Sequence, residues 1–153
     1  MREIEDAVVG YDYVTIDIPK PGDGEALIKV DLVSICGSDV NLYKWNDVAK
    51  VIAKLPFTPG HECSGHVVAL GPNCPKNVKV GSRVGVENHY YCGECFQCKN
   101  KHIDQRHICQ KMGQFGHGKQ TIHGGFSEYT IVPARYLYVL KTDLDPRLTC
   151  LLE

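Results

Sequence analysis

Apolar and polar residues alternate along the first half of the chain with a period of two. Val14, Ile16 and Ile18 fall on one side of a run closed by Pro19, with Thr15 and Asp17 on the other. Residues 26–35 repeat the pattern, setting Ala26, Ile28 and Val30 against Leu27 and Lys29. This is the signature of strands with one covered face. Short β-rich runs recur at 66–70, 83–86, 129–132 and 137–140, separated by Gly71-Pro72-Asn73, Gly81-Ser82 and Gly124-Gly125. Helical patterning is confined to 39–45 and 48–54, ahead of Pro56 and Pro59. Several short strands with one or two inserted helices predict a mainly β fold built as a partly open barrel. The glycine-rich segment 113–125 is expected to be a flexible surface loop. Its His117 and His123 are read as solvent-facing, since neither has a spaced ligand partner.

The tail breaks the β pattern. Asp143, Asp145 and Pro146 look like the opening of a helix that continues through Leu148, Cys150, Leu151 and Leu152 to Glu153. An apolar helix that stops after two turns is expected to be truncated at a domain boundary. The 153 residues suit one domain, 1–153, large enough for its own core. A net charge of −1 offers no general attraction to nucleic acid or an anionic membrane. No stretch is long and apolar enough to span a bilayer. The charged start, Met1-Arg2-Glu3-Ile4-Glu5-Asp6, lacks the apolar core of a signal peptide, so a reducing, cytoplasmic compartment is expected.

The cysteines change the picture from fold to chemistry. Cys92, Cys95 and Cys98 stand at two-residue gaps in one loop, and Cys109 follows after ten more residues. Four thiols so arranged suit a closed tetrahedral zinc cage of the structural kind. A disulfide framework is the alternative, disfavoured by the geometry of such close cysteines and by the absence of a secretory signal. His102 and His107 lie in the ten-residue gap, and either would serve as fourth ligand in place of Cys109 in a Cys₃His shell. The lobe is expected to span about 87–113. The remaining thiols, Cys36, Cys63, Cys74 and Cys150, are scattered, and each by itself reads as a small buried hydrophobe.

A second group of ligand types lies upstream, in Cys36, His61 and Glu62. Mixed sulfur, nitrogen and oxygen donors suit a zinc that keeps a position for water or substrate. Gly60 frees the backbone for His61 to point inward, and Glu62 serves as ligand or as an orienting carboxylate. Gly65 and Gly71 permit close strand packing. A lone His-Glu pair is more often structural, but one closed and one open site in the same chain point to a zinc enzyme. A zinc-ribbon nucleic-acid binder, drawing on Lys99, Lys101, His102 and Arg106, lacks interleaved aromatics and is the weaker reading.

Cys36-Gly37-Ser38-Asp39, Gly60-His61-Glu62-x-x-Gly65 and the Cys-x-x-Cys-x-x-Cys run together resemble the zinc-containing medium-chain alcohol dehydrogenase family. The likeness extends to Val80-Gly81-Ser82-Arg83-Val84 and Gly125-Phe126-Ser127-Glu128-Tyr129. Tyr43-Lys44-Trp45 and His89 are similar to the L-threonine 3-dehydrogenase and polyol (sorbitol, butanediol) dehydrogenase branch. The gap between Cys98 and Cys109 is wider than is usual there.

The resemblance implies a GroES-like fold. It also implies a catalytic zinc on Cys36 and His61, with Glu62 as third or exchangeable ligand. Ser38 would relay the substrate proton, Asp39 would support the ligands, His89 would lie near substrate, and Glu153 would be an acidic group close to zinc. Zinc would acidify a small-molecule alcohol, and NAD(P) would accept the hydride. No Gly-x-Gly-x-x-Gly unit occurs in the sequence, so the Rossmann coenzyme domain is expected to be missing from this chain and the isolated chain to be inactive. The full-length protein is expected to be a homo-oligomer, with neither nucleic acid nor membrane as partner. A truncated, non-enzymatic zinc-stabilised interaction module is the competing reading.

Overall fold

The computed structural model describes residues 10–100, 103–141 and 144–151. In chain order the elements are β1 (Glu25–Ser34), α1 (Gly37–Lys44), α2 (Asp47–Ile52), β2 (Glu62–Leu70), β3 (Arg83–Val86), β4 (His89–Tyr90), α3 (Phe96–Lys99), β5 (Gly113–Gln114), β6 (Tyr129–Pro133), β7 (Leu137–Val139) and α4 (Pro146–Thr149). Two single 3₁₀ turns cover Arg106–Ile108 and Ala134–Tyr136.

Five strands form one antiparallel sheet in the order β6-β1-β2-β3-β7. Its two edge strands do not pair with each other, so the barrel stays open among the described residues. Strand β1 is the spine. It pairs with β2 from Ala26 opposite Leu70 to Ser34 opposite Glu62, with register shifts at Leu27/Ile28 and Val30/Leu32 that bend it. Gly65 lets β1 and β2 close up, since a Cβ there would stand 2.3 Å from the Lys29 carbonyl oxygen.

Ala26, Ile28, Val67, Val84 and Val132 meet beneath the sheet, where Tyr90, Phe115, Tyr136 and Leu137 complete the core. Each valine, leucine or isoleucine among them contributes about 1.5–3 kcal/mol through burial. A satellite cluster of Leu42, Ala49 and Ala53, backed by Trp45, Ile52 and Phe57, packs α1 on α2. Both helices start earlier than their apolar pattern suggests, because polar caps set the boundary. The Asp39 carboxylate accepts the Cys36 N–H at 2.9 Å, and Asn46 accepts the Ala49 N–H at 3.1 Å. Trp45, left-handed at φ 46°, ends α1.

Two expectations fail. Residues 14–18 form no strand; Val14, Ile16 and Ile18 are 67%, 70% and 57% exposed. Alternation supplies a face, but a strand also needs a partner edge, and none is offered to this run among the described residues. The segment 113–125 is not a solvent-facing loop. Phe115 and His117 are fully buried, and backbone bonds Phe115 N–H to Asn88, Gly116 N–H to His123 and Lys54 N–H to His117 stitch it into the fold.

The C-terminal helix occupies Pro146–Thr149 and packs against β1 and β2, with Thr149 and Cys150 buried. It is shorter than expected, since Cys150 and Leu151 are turn and not helix, and the expected continuation through Leu152 and Glu153 lies outside the described residues. Among the described residues no helix is long and apolar enough to cross a membrane.

Candidate metal centres

The register of β1 on β2 builds the first site. Because Ser34 pairs with Glu62, the residues just beyond those strand ends, Cys36 and His61, meet at the same end of the sheet. One ligand atom from each of Cys36, His61 and Glu62 lies within 4.8 Å of the other two. Gly60 makes the approach possible. At φ +85° it takes the left-handed conformation, and a Cβ there would stand 2.5 Å from the Phe126 ring.

His61 is 3% exposed. Its Nε2 stands 3.3 Å from Ser38 Oγ, and its Nδ1 stands 3.5 Å from Asp39 Oδ1. A proton on Nδ1, facing the Asp39 carboxylate, leaves the Nε2 lone pair for a cation. Burial acts to raise the Asp39 carboxyl, but the hydrogen bonds from His61 and the Cys36 N–H outweigh it and hold the group below the ordinary carboxylate range. Asp39 is therefore an anion in a nearly dry site.

His117, which the sequence places on a solvent-facing loop, belongs to this region. Its ring lies 4.7 Å from that of His61. Its Nδ1–H donates to the Phe115 carbonyl at 3.1 Å, and its Nε2 is buried without a hydrogen-bond partner. Burial lowers its pKa and keeps the ring neutral. The signal available in the sequence was Phe115, whose large apolar ring two positions earlier marks a segment that packs inward.

His89 is not in the ligand group. It is exposed at the start of β4, with its Nδ1 4.0 Å from the Glu87 carboxylate. Glu153 lies outside the described residues.

The second site is the cysteine lobe. Ligand atoms of Cys92, Cys95, Cys98 and Cys109 all lie within 4.8 Å of one another. The Cys92–Cys98 and Cys95–Cys109 sulfurs are each 3.9 Å apart. A zinc tetrahedron with bonds of about 2.3 Å has sulfur–sulfur edges of about 3.8 Å, whereas a disulfide would bring two sulfurs to about 2.05 Å. The spacing fits a cation and not a bridge, and all eight cysteines are free thiols. His107 stays outside the group, exposed on the turn Arg106–Ile108. His102 lies outside the described residues.

Backbone N–H groups aim at the sulfurs. Glu94 and Cys95 donate to Cys92 at 3.4 and 3.3 Å, and Cys92 and Lys111 donate to Cys109 at 3.3 and 3.4 Å. The N–H groups of Cys98 and Gln110 bring the Cys95 thiol down to about 6. Burial, with the neighbouring thiols, pushes Cys98 up to about 12. Four sulfurs this close cannot all ionise without a cation between them.

The lobe is tied to the sheet core by stacked side chains. The Arg106 guanidinium lies 4.7 Å from the Tyr91 ring centre, Tyr91 meets Tyr136 edge-on at 5.3 Å, and Tyr136 stacks on Tyr90 at 4.3 Å. Cys63 and Cys150 behave as buried apolar thiols, and burial raises Cys63 to about 12. Cys74 is half-buried, its thiol donating to the Glu25 carbonyl at 3.3 Å.

Known proteins are similar to this chain in sequence and fold. The alcohol dehydrogenase GroES-like domain family matches residues 22–142. L-threonine 3-dehydrogenase of Thermococcus kodakarensis is 40% identical over 144 residues, which is 94% of this chain and 39% of the relative. The chain thus spans about two fifths of the length of the curated relatives it matches. A cobalt- and zinc-bound thermostable alcohol dehydrogenase from Pyrobaculum aerophilum superposes with a TM-score of 0.70 at 31% identity, over 86% of this chain and 38% of that one. A short chain alcohol dehydrogenase (rspB) from E. coli CFT073, solved with NADH, gives 0.74 at 32% identity, over 88% and 36%. With a matching family over most of its length, the same open sheet and both cysteine-bearing clusters in place, the chain belongs to the alcohol dehydrogenase GroES-like domain family.

Proposed function

We propose that this chain is the zinc-binding catalytic portion of an NAD(P)-dependent dehydrogenase that oxidises a secondary alcohol of the L-threonine or polyol kind. The carrying observation is the convergence of Cys36, His61 and Glu62 within 4.8 Å, beside a hydroxyl, Ser38 Oγ, 3.3 Å from His61 Nε2. Three unlike ligands from the protein match the donor set of a zinc centre that keeps a position for substrate. Zinc held there would supply the Lewis acidity that makes an alcohol hydroxyl more acidic.

The chain's own residues supply the rest. Ser38 accepts the substrate proton at Oγ while passing its own outward, so no net charge is added to the site. Asp39 holds the His61 ring through Nδ1 and steadies Cys36 through its backbone N–H. His89 would meet the substrate's outer polar groups, a role its exposure on β4 supports. Cys92, Cys95, Cys98 and Cys109 would hold a structural zinc, as the closeness of their four sulfurs supports. Hydride acceptance belongs to a nicotinamide, bound by sequence other than these residues, which contain no glycine-rich dinucleotide turn. Eight unbridged thiols fit a reducing cytoplasmic setting.

The test is oxidation of L-threonine, sorbitol and butanediol with NAD or NADP by the protein joined to its coenzyme-binding sequence. One of these substrates is turned over, and Ser38→Ala lowers kcat by about 10²–10⁴-fold while Ser38→Thr restores it and zinc content is unchanged. No turnover of any secondary alcohol, or an unaltered kcat in Ser38→Ala, overturns the reading.

A further inference from the structure

Ser34 closes β1 directly opposite Glu62, the first residue of β2. Its side chain reaches across the pair. The Ser34 hydroxyl is in hydrogen-bond contact with Glu62 Oε2, and it stands 3.1 Å from the carbonyl oxygen of Cys150, just after α4. A hydroxyl carries a single proton. The carboxylate is charged and therefore the stronger acceptor, so the proton goes to Oε2, and the carbonyl oxygens of Cys150 and, at 3.4 Å, of Glu62 itself are the alternative acceptors. A carboxylate has about four lone-pair sites on two oxygens. Donation to Oε2 leaves Oε1, and the second lone pair of Oε2, available to a cation.

We propose that Ser34 is a positioning residue for the open metal centre: its hydroxyl holds the Glu62 carboxylate in the orientation that joins Cys36 and His61. The inference rests on the reading of Cys36, His61 and Glu62 as a metal centre. Glutamate's last torsion is broad and nearly two-fold, so without a partner the carboxylate rotates and must be ordered each time a cation binds. Backbone pairing fixes the Cα of Glu62 and leaves that torsion free. The hydroxyl is the group that restrains it. Ser34 has no ligand spacing of its own, and it reaches the site only through the β1–β2 register.

The experiment titrates Co²⁺ into the chain with its cysteine cage already filled by zinc, following the visible d–d absorption of the open site. Wild type, Ser34→Ala, Ser34→Thr, Glu62→Gln and the Ser34→Ala/Glu62→Gln double variant are compared. Ser34→Ala is expected to weaken Co²⁺ binding by about 10–100-fold, the usual effect of removing a group that orients a metal ligand. Ser34→Thr, which keeps the hydroxyl, restores it. In the Glu62→Gln background Ser34→Ala has a much smaller effect, because the neutral amide oxygen is a weaker acceptor for the hydroxyl and a weaker metal ligand.

Unchanged affinity in Ser34→Ala overturns the proposal. So does an equal loss in both backgrounds, which would mean a general disturbance of the fold. If wild type itself gives no open-site cobalt spectrum, the metal-centre reading is what fails, and the role of Ser34 falls with it.

Discussion

Asp39 and His61 face each other in a nearly dry site, Oδ1 to Nδ1 at 3.5 Å, with side chains 2% and 4% exposed. The other oxygen of Asp39 accepts the Cys36 N–H at 2.9 Å. One carboxylate therefore steadies a histidine from one strand end and a cysteine from another. Its own place is set by the first turn of α1, so the helix start and the ligand geometry are the same structural fact.

Asp39→Asn keeps the shape and removes the charge. Zinc or cobalt affinity at Cys36, His61 and Glu62 should fall by about 10–100-fold, while metal in the cysteine cage is retained. Metal titration of both sites in the variant checks this. An unaltered affinity would mean that the contact with His61 is incidental.

Gly60→Ala adds a Cβ where the chain has φ +85° and the Phe126 ring would be 2.5 Å away. The left-handed conformation alone costs a non-glycine residue about 1–2 kcal/mol, and the clash adds to that. Denaturant unfolding should show a loss of at least about that size, with reduced metal at the open site because His61 follows Gly60. Full stability with full metal would show that the ring moves aside freely.

Chelation should empty the two sites in order. The open site offers three candidate ligands among the described residues and should release a metal to a mild chelator, while the four-sulfur cage should hold on. Stripping the cage, or replacing Cys109 with Ser, should expose residues 92–109 to proteolysis and raise the reactivity of the remaining thiols, since binding and local folding are coupled. Elemental analysis with thiol counting follows both steps. Disulfides in the native protein, or a cage emptied before the open site, would contradict the assignment.

What the sequence determined by itself was whatever short range decides. Three cysteines at two-residue gaps in one loop face one point almost regardless of the rest of the chain, and of the fourth positions the sequence offers, the structure brings Cys109 and not His107 to them. Alternation placed β1, β3, β6 and β7 within a residue or two, because side chains two apart share a face wherever a strand forms. The family was legible in Cys36-Gly37-Ser38-Asp39 and Gly60-His61-Glu62.

Tertiary structure decided the rest. The run at 14–18 has a strand's pattern and no strand, because pairing depends on an edge supplied from elsewhere. His117 sits in a glycine-rich stretch that composition assigns to the surface, yet it is fully buried beside His61 because Phe115 anchors the segment in the core. Ser34 meets Glu62 only because β1 and β2 pair in one register, and a shift of one residue would turn its hydroxyl to the opposite face. Local pattern names the groups that can do chemistry; long-range pairing and burial, which no spacing encodes, choose which of them touch.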